Sequence, residues 1–131
     1  MSAGGMEILA PISAGELIDK ITILEIKAER ISDPAKRANV VHELDALAAL
    51  REVHGLGTVA ALAEALKAVN AALWDIEDEI RVLEREQRFD ARFVALARAV
   101  YVTNDRRAAL KKDINRAVGS AIVEEKSYAG S

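Results

Sequence analysis

The chain has 131 residues, 51% of them hydrophobic, with 18 basic and 21 acidic side chains, a net charge of −3 and no cysteine. Lack of cysteine excludes disulfides, thiolate zinc sites and cysteine nucleophiles. The slight acidic balance argues against non-specific nucleic-acid binding, which needs a basic excess. The apolar half is mostly Ala, Leu, Ile and Val, with 4% aromatics and two prolines, so the expectation is one all-α domain over residues 1–131. No apolar run approaches the length of a bilayer span. Residues 1–5 lack the basic start and apolar core of a secretory signal, so the expected location is the cytoplasm.

Residues 1–5 and 129–131 read as disordered. Residues 6–12 are short and apolar, ending Ala10-Pro11-Ile12, and read as an extended arm. Ser13 and Glu16 have capping-box spacing. The first helix follows to about Ile31, with Leu17, Ile21, Leu24, Ala28 and Ile31 as a buried stripe that Ile18, Ile23 and Ile26 widen. Asp33-Pro34 is a stop and restart, a cap followed by proline at the first helical position. The second helix runs to about His54, with Val40, Val41, Leu44, Leu47 and Ala48 inward, and Gly55-Leu56-Gly57 ends it.

Thr58 is a fair cap for the third helix, expected over residues 59–88. Val59, Leu62, Leu66, Val69, Leu73, Ile76, Ile80 and Leu83 alternate spacings of three and four, a coiled-coil-like seam. Thirty residues at 1.5 Å each span roughly 45 Å, whereas a round domain of this size is roughly 36 Å across. The expectation is therefore a homodimer, with the seam partly intermolecular. Asp90 caps a fourth helix carrying Phe93, Leu96, Ala97 and Val100. Thr103-Asn104-Asp105 supplies a further cap, so a fifth helix is expected over residues 105–118, stopped by Gly119. Residues 120–131 form a tail whose Ile122-Val123 pair is available for docking. The architecture expected is a bundle of four to five helices around one long central helix.

No motif forces a reaction. Asn70, Trp74, Glu77 and Arg81 share one face of the third helix by their spacing. Tryptophan and arginine dominate binding hot spots, so this face is a candidate recognition surface, with Tyr101, Asn104, Asp105 and Arg106 opposite. The ordinary alternative is that Trp74 packs under a neighbouring element while Glu77 and Arg81 pair with each other. The acidic cluster Asp75, Glu77, Asp78, Glu79, Glu84 and Glu86 lacks the carboxylate spacing of helical magnesium-dependent pyrophosphohydrolases. It reads as a solvated face, and no metal or cofactor is expected. His42 and His54 are too far apart for a helical chelate. The basic segment Arg98, Arg106, Arg107, Lys111, Lys112 and Arg116 would put two arginines at a helix start, where free amides favour an anion. The alternative is that it faces the acidic half of the third helix. The first helix has a weak likeness to all-helical chorismate mutases, but the early arginine such a site needs is absent.

Five stretches together resemble a small bacterial protein family of unknown function. They are GELIDKITILEIK at 15–27, LWDIEDEIR at 73–81, Phe89-Asp90, VYVTNDRRA at 100–108 and EEKSY at 124–128. The resemblance covers most of the chain from Glu7 to Tyr128. It implies an all-helical protein, encoded near glycosyltransferases and other cell-envelope sugar enzymes, and it carries no activity. The functional expectation is a non-enzymatic cytoplasmic interaction or accessory protein. The alternative is a protein acting on a phosphorylated or sugar-nucleotide ligand in an acidic and basic cleft.

Overall fold

The computed structural model describes residues 5–129. The expected disorder of residues 1–4 and 130–131 lies outside the described residues. The chain folds into four α-helices: α1 (Ala14–Arg30), α2 (Pro34–Val53), α3 (Ala60–Arg85) and α4 (Ala91–Val118), with a 3-10 turn, Leu56–Val59, before α3. Among the described residues there is no strand, and the all-α bundle is as the composition implies.

Local chemistry sets the boundaries. Ser13 accepts from the Glu16 amide, Asp33 from Lys36 and Asp90 from Phe93, so each side chain satisfies an otherwise orphaned first-turn donor. Gly55 and Gly119 adopt the left-handed conformation after α2 and α4, with φ of 64° and 65°. Thr58 does not cap α3; it lies inside the 3-10 turn, and α3 starts without a side-chain cap. The α3–α4 break falls at residues 86–90. There Gln87 takes φ of 56°, and Phe89 packs edge-on against Phe93 with ring centroids 5.2 Å apart.

Helices four and five of the sequence reading are a single helix. Thr103, Asn104 and Asp105 lie in the middle of α4. Cap-type residues carry only a weak preference against the helical interior, and the packing of Leu96 and Ile114 on either side holds the backbone helical through them.

The core lies at one end of the molecule. Leu17, Ile18, Ile21, Leu56, Val59, Leu66 and Ile114 form a contiguous buried cluster, with Leu44 and Leu47 of α2 against it. α2 itself buries no residue fully. The α3 seam turns inward: Val59, Leu66, Val69 and Leu83 are buried, and Leu62, Leu73, Ile76 and Ile80 half-buried. This removes the geometric reason given for sharing the seam between two chains. At 26 residues, α3 spans roughly 39 Å, but it is accompanied by the 28-residue α4, so the molecule is elongated rather than round.

The outward side of α3 carries Ala60, Ala61, Ala65, Ala68 and Ala72. This alanine content revises the hydropathy reading. Leu56–Arg85 is long and apolar enough, by length and composition alone, to cross a membrane, with a mean hydropathy of 1.3 over its most apolar window. Alanine raises the mean without supplying an unbroken run of large apolar groups. The arm, residues 5–12, has no regular structure and is exposed throughout.

Candidate functional site

The joint between α1, α3 and α4 is polar. Asp19 is fully buried. The guanidinium of Arg107 grips it with two hydrogen bonds, Nε donating to Oδ1 at 2.9 Å and Nη2 to Oδ2. Asn70 Nδ2 donates to the same Oδ1 and to Thr22 Oγ1, both at 2.9 Å, and Thr22 Oγ1 donates to the Asp19 carbonyl at 2.8 Å. The Asp19 carboxylate beside it raises the Arg107 pKa above the usual arginine range, against the pull of burial. A buried carboxylate is tolerable here because a bidentate cation and an amide satisfy it.

One turn along, the start of α1 is bound to the end of α4 and the tail. Gly15 N–H donates to Asn115 Oδ1 at 2.7 Å, and Ala14 N–H to Ser120 Oγ at 3.2 Å. Ser13 Oγ donates to Glu124 at 2.8 Å, and Lys111 Nζ bridges Glu16 at 2.6 Å and Glu124 at 3.2 Å. Burial pulls the Lys111 pKa down, but the two carboxylates outweigh it and leave it raised. Burial likewise pushes Glu124 up, yet the Ser13 and Lys111 hydrogen bonds leave it below the ordinary carboxylate value. Further along the tail, Lys112 pairs with Glu125 and Lys126 with Asp105. The tail is thus docked, but by charge. Ile122 and Val123, the pair expected to anchor it, are 39% and 49% exposed.

Two clefts open beside this network. The first, of about 450 Å³, is lined by Ile23, Ile26, Asn70, Leu73, Trp74, Glu77, Asp78, Asn104 and Arg107. The second, of about 1000 Å³, lies between α4 and the tail, and Tyr101, Asn104, Asp105, Arg107 and Lys126 are in its wall. Asn104 and Arg107 belong to both.

Of the residues proposed from sequence, Asn70, Trp74, Glu77 and Asn104 come together in the smaller cleft, while Tyr101 and Asp105 stand in the larger one. Arg81 is largely exposed and reaches Glu77 at 3.5 Å. Arg106 lines neither cleft; its neighbour Arg107 occupies the position expected of it. The reason is helical phase. With α4 continuous, Asn104, Arg107, Lys111 and Asn115 fall on the face toward α1, and Arg106 turns outward. Nor does the basic segment face mainly the acidic half of α3. Arg107 and Lys111 bind α1, and Lys112 binds the tail. The α3–α4 ion pair that does form joins Glu79 to Arg92, both bonds at 2.6 Å. It holds the Glu79 carboxyl below its ordinary range.

Trp74 is half-buried with the Arg30 guanidinium 5.7 Å from its ring centroid, and Arg30 in turn bonds Asp75 at 2.6 Å. Among the described residues, no group of three or more His, Asp or Glu side chains converges as metal ligands would. Sequence reasoning did not single out Asp19, Thr22, Asn115 or Glu124. Their partners lie 48 to 111 residues away, beyond any local pattern. The usable signal was a polar Asp19 and Thr22 within the widened apolar stripe of the first helix.

No curated protein and no solved structure matches the chain. Residues 8–131 match the model of a family described as "Family of unknown function (DUF6165)". That match spans the whole bundle, from the arm through the docked tail, and the chain belongs to this family.

Proposed function

We propose that this protein is a non-enzymatic cytoplasmic interaction or accessory protein, whose recognition surface is the cleft walled by Asn70, Trp74, Glu77 and Asn104. The observation that carries this reading is that a tryptophan from α3 and an amide from the middle of α4, 30 residues apart in sequence, share one open cleft. Arg81 extends the surface through Glu77, and Tyr101 and Asp105 continue it into the larger cleft. Tryptophan in a partly desolvated, polar-rimmed recess is the usual anchor of a protein interface. A pull-down with the wild-type chain is expected to recover a defined protein. Trp74→Ala is expected to lose it while keeping the helical circular-dichroism spectrum. Retention of that partner by a folded Trp74→Ala variant refutes the reading.

The homodimer belongs to the same proposal, on a different surface from the seam. The exposed alanine side of α3 (Ala61, Ala65, Ala68 and Ala72) permits close helix approach, and the arm leaves Met6, Ile8 and Leu9 79–90% exposed. Light scattering at micromolar concentration is expected to give twice the chain mass, and a monomer mass refutes it.

A second reading, action on a phosphorylated or sugar-nucleotide ligand, draws on Glu77 and Asp78 meeting Arg107 in one cleft. The Arg107 charge is already taken by Asp19, which leaves little positive charge to hold a phosphate and favours the interaction reading. Calorimetry with magnesium and nucleotide sugars separates the two: heat at millimolar ligand supports the second.

A further inference from the structure

We infer that the ligand of the smaller cleft is an arginine side chain presented by a partner protein; this rests on that cleft being the recognition surface. The cleft is rich in acceptors and poor in free positive charge. Asn70 is 6% exposed and both its N–H groups are used, toward Asp19 and Thr22. Its Oδ1 is thereby turned the other way and accepts no hydrogen bond from the described residues. No buried side-chain polar atom there lacks a partner, so this oxygen reaches the cleft space as an acceptor at its base.

At the rim, Asp78 makes no ion pair with the described residues, and among them Glu77 has only the long 3.5 Å approach of Arg81. The wall is Trp74. Opposite stand the Asn104 amide, which makes no hydrogen bond to described residues, and Arg107, whose charge Asp19 offsets through a bidentate pair. Two open carboxylates, an amide oxygen at the cleft base and an indole together suit a planar, multi-donor cation. A guanidinium fits that description better than an ammonium, because its fork matches carboxylates and its plane stacks on aromatic rings. The Trp74 ring already has one guanidinium beside it, that of Arg30.

Trp74 is the only tryptophan, so its fluorescence reports on the cleft directly. The probes are an acetylated, amidated Gly-Gly-Arg-Gly-Gly peptide and its citrulline counterpart, which keeps the shape and loses the charge. The arginine peptide is expected to give a saturable change, with the citrulline peptide about tenfold weaker. E77Q/D78N is expected to weaken the arginine peptide about tenfold with an unchanged melting curve. Equal binding of the two peptides, an unaffected double variant, or no saturable change at millimolar peptide overturns the assignment. The pull-down keeps the two ideas apart. If Trp74→Ala loses its partner but the arginine peptide leaves the fluorescence unchanged, the recognition surface stands and the arginine assignment falls. If the peptide binds as expected while Trp74→Ala keeps its partners, the cleft takes a guanidinium but the surface reading falls, and the partner-borne arginine with it.

Discussion

Replacing Gly15 by alanine tests the closest approach in the fold. A Cβ at this position would stand 2.4 Å from the Lys111 carbonyl oxygen, 3.0 Å from its carbonyl carbon and 3.1 Å from Asn115 Oδ1. A relaxed carbon–oxygen contact needs about 3.3 Å or more, so α1 and α4 must part by roughly 1 Å. The obstacle is α4 backbone, which has no rotamer to escape into. Overpacking of this kind costs about 1–3 kcal/mol. Lengthening the Gly15 to Asn115 hydrogen bond forfeits about 1 kcal/mol more. Against this, alanine in a helix gains at most about 1 kcal/mol over glycine. The net loss is about 2 kcal/mol, which in a chain of this size lowers Tm by roughly 6–8 °C. Thermal and urea unfolding followed by far-UV circular dichroism measure it. Propensity alone predicts the opposite sign, so a Tm equal to or above wild type refutes the close crossing of α1 on α4.

The buried pair gives a second test. Asp19→Asn and Arg107→Leu should each destabilise by about 2–4 kcal/mol, and the double variant by clearly less than their sum in a urea-unfolding cycle; strict additivity would show that the two groups do not interact. For Gln87, held at φ of 56°, glycine should relieve about 0.5–1 kcal/mol of left-handed strain and raise Tm by a few degrees. An unchanged or lower Tm counts against that backbone conformation. The tail clamp should titrate at both ends of the pH scale. The folded Glu124 pKa lies below its ordinary 4.5, so its contribution is present above that value and is lost as pH falls through the lower, folded one. The folded Lys111 pKa lies above 10.5, so its contribution is full below 10.5 and is lost as pH rises through the folded value. The stability difference between wild type and Glu124→Gln should therefore persist at neutral pH and vanish in acid. A difference independent of pH refutes the clamp.

Elements with local chemistry were legible in the sequence. Ser13, Asp33, Asp90 and Gly119 mark boundaries through their own hydrogen bonds or backbone freedom, and the α3 seam shows its buried side by spacing alone. The shared cleft of Trp74 and Asn104 was legible in outline, because large polar and aromatic groups concentrate on those two segments. What failed was anything decided by a remote partner. The cap-like Thr103-Asn104-Asp105 is overruled by packing on both sides of it, and that error shifted attention to Arg106. Once α4 runs through, a turn of 100° per residue selects Arg107, and only the fold reveals Asp19 as its counter-charge. By sequence the alanines around the first half of the α3 seam suit close burial by neighbouring helices, yet Ala60, Ala61, Ala65, Ala68 and Ala72 are exposed, because a small apolar side chain does not say by its spacing whether it is packed or open.

The fastening of α1 by Asn115, Ser120 and Glu124 has a consequence for how the chain acquires its structure. These bonds join positions 100 to 111 residues apart, and the Asp19 to Arg107 bond joins positions 88 apart. Contacts of such separation demand closure of very long loops before they return any stability. During synthesis α1 therefore emerges early, with its buried carboxylate still unmatched, and waits for α4. A nascent chain stalled before Arg107 holds an amphipathic α1–α2 hairpin with a charge where its core should be. Such an intermediate lacks every bond that fastens α1 to α4, so this joint closes only once α4 and the tail are complete.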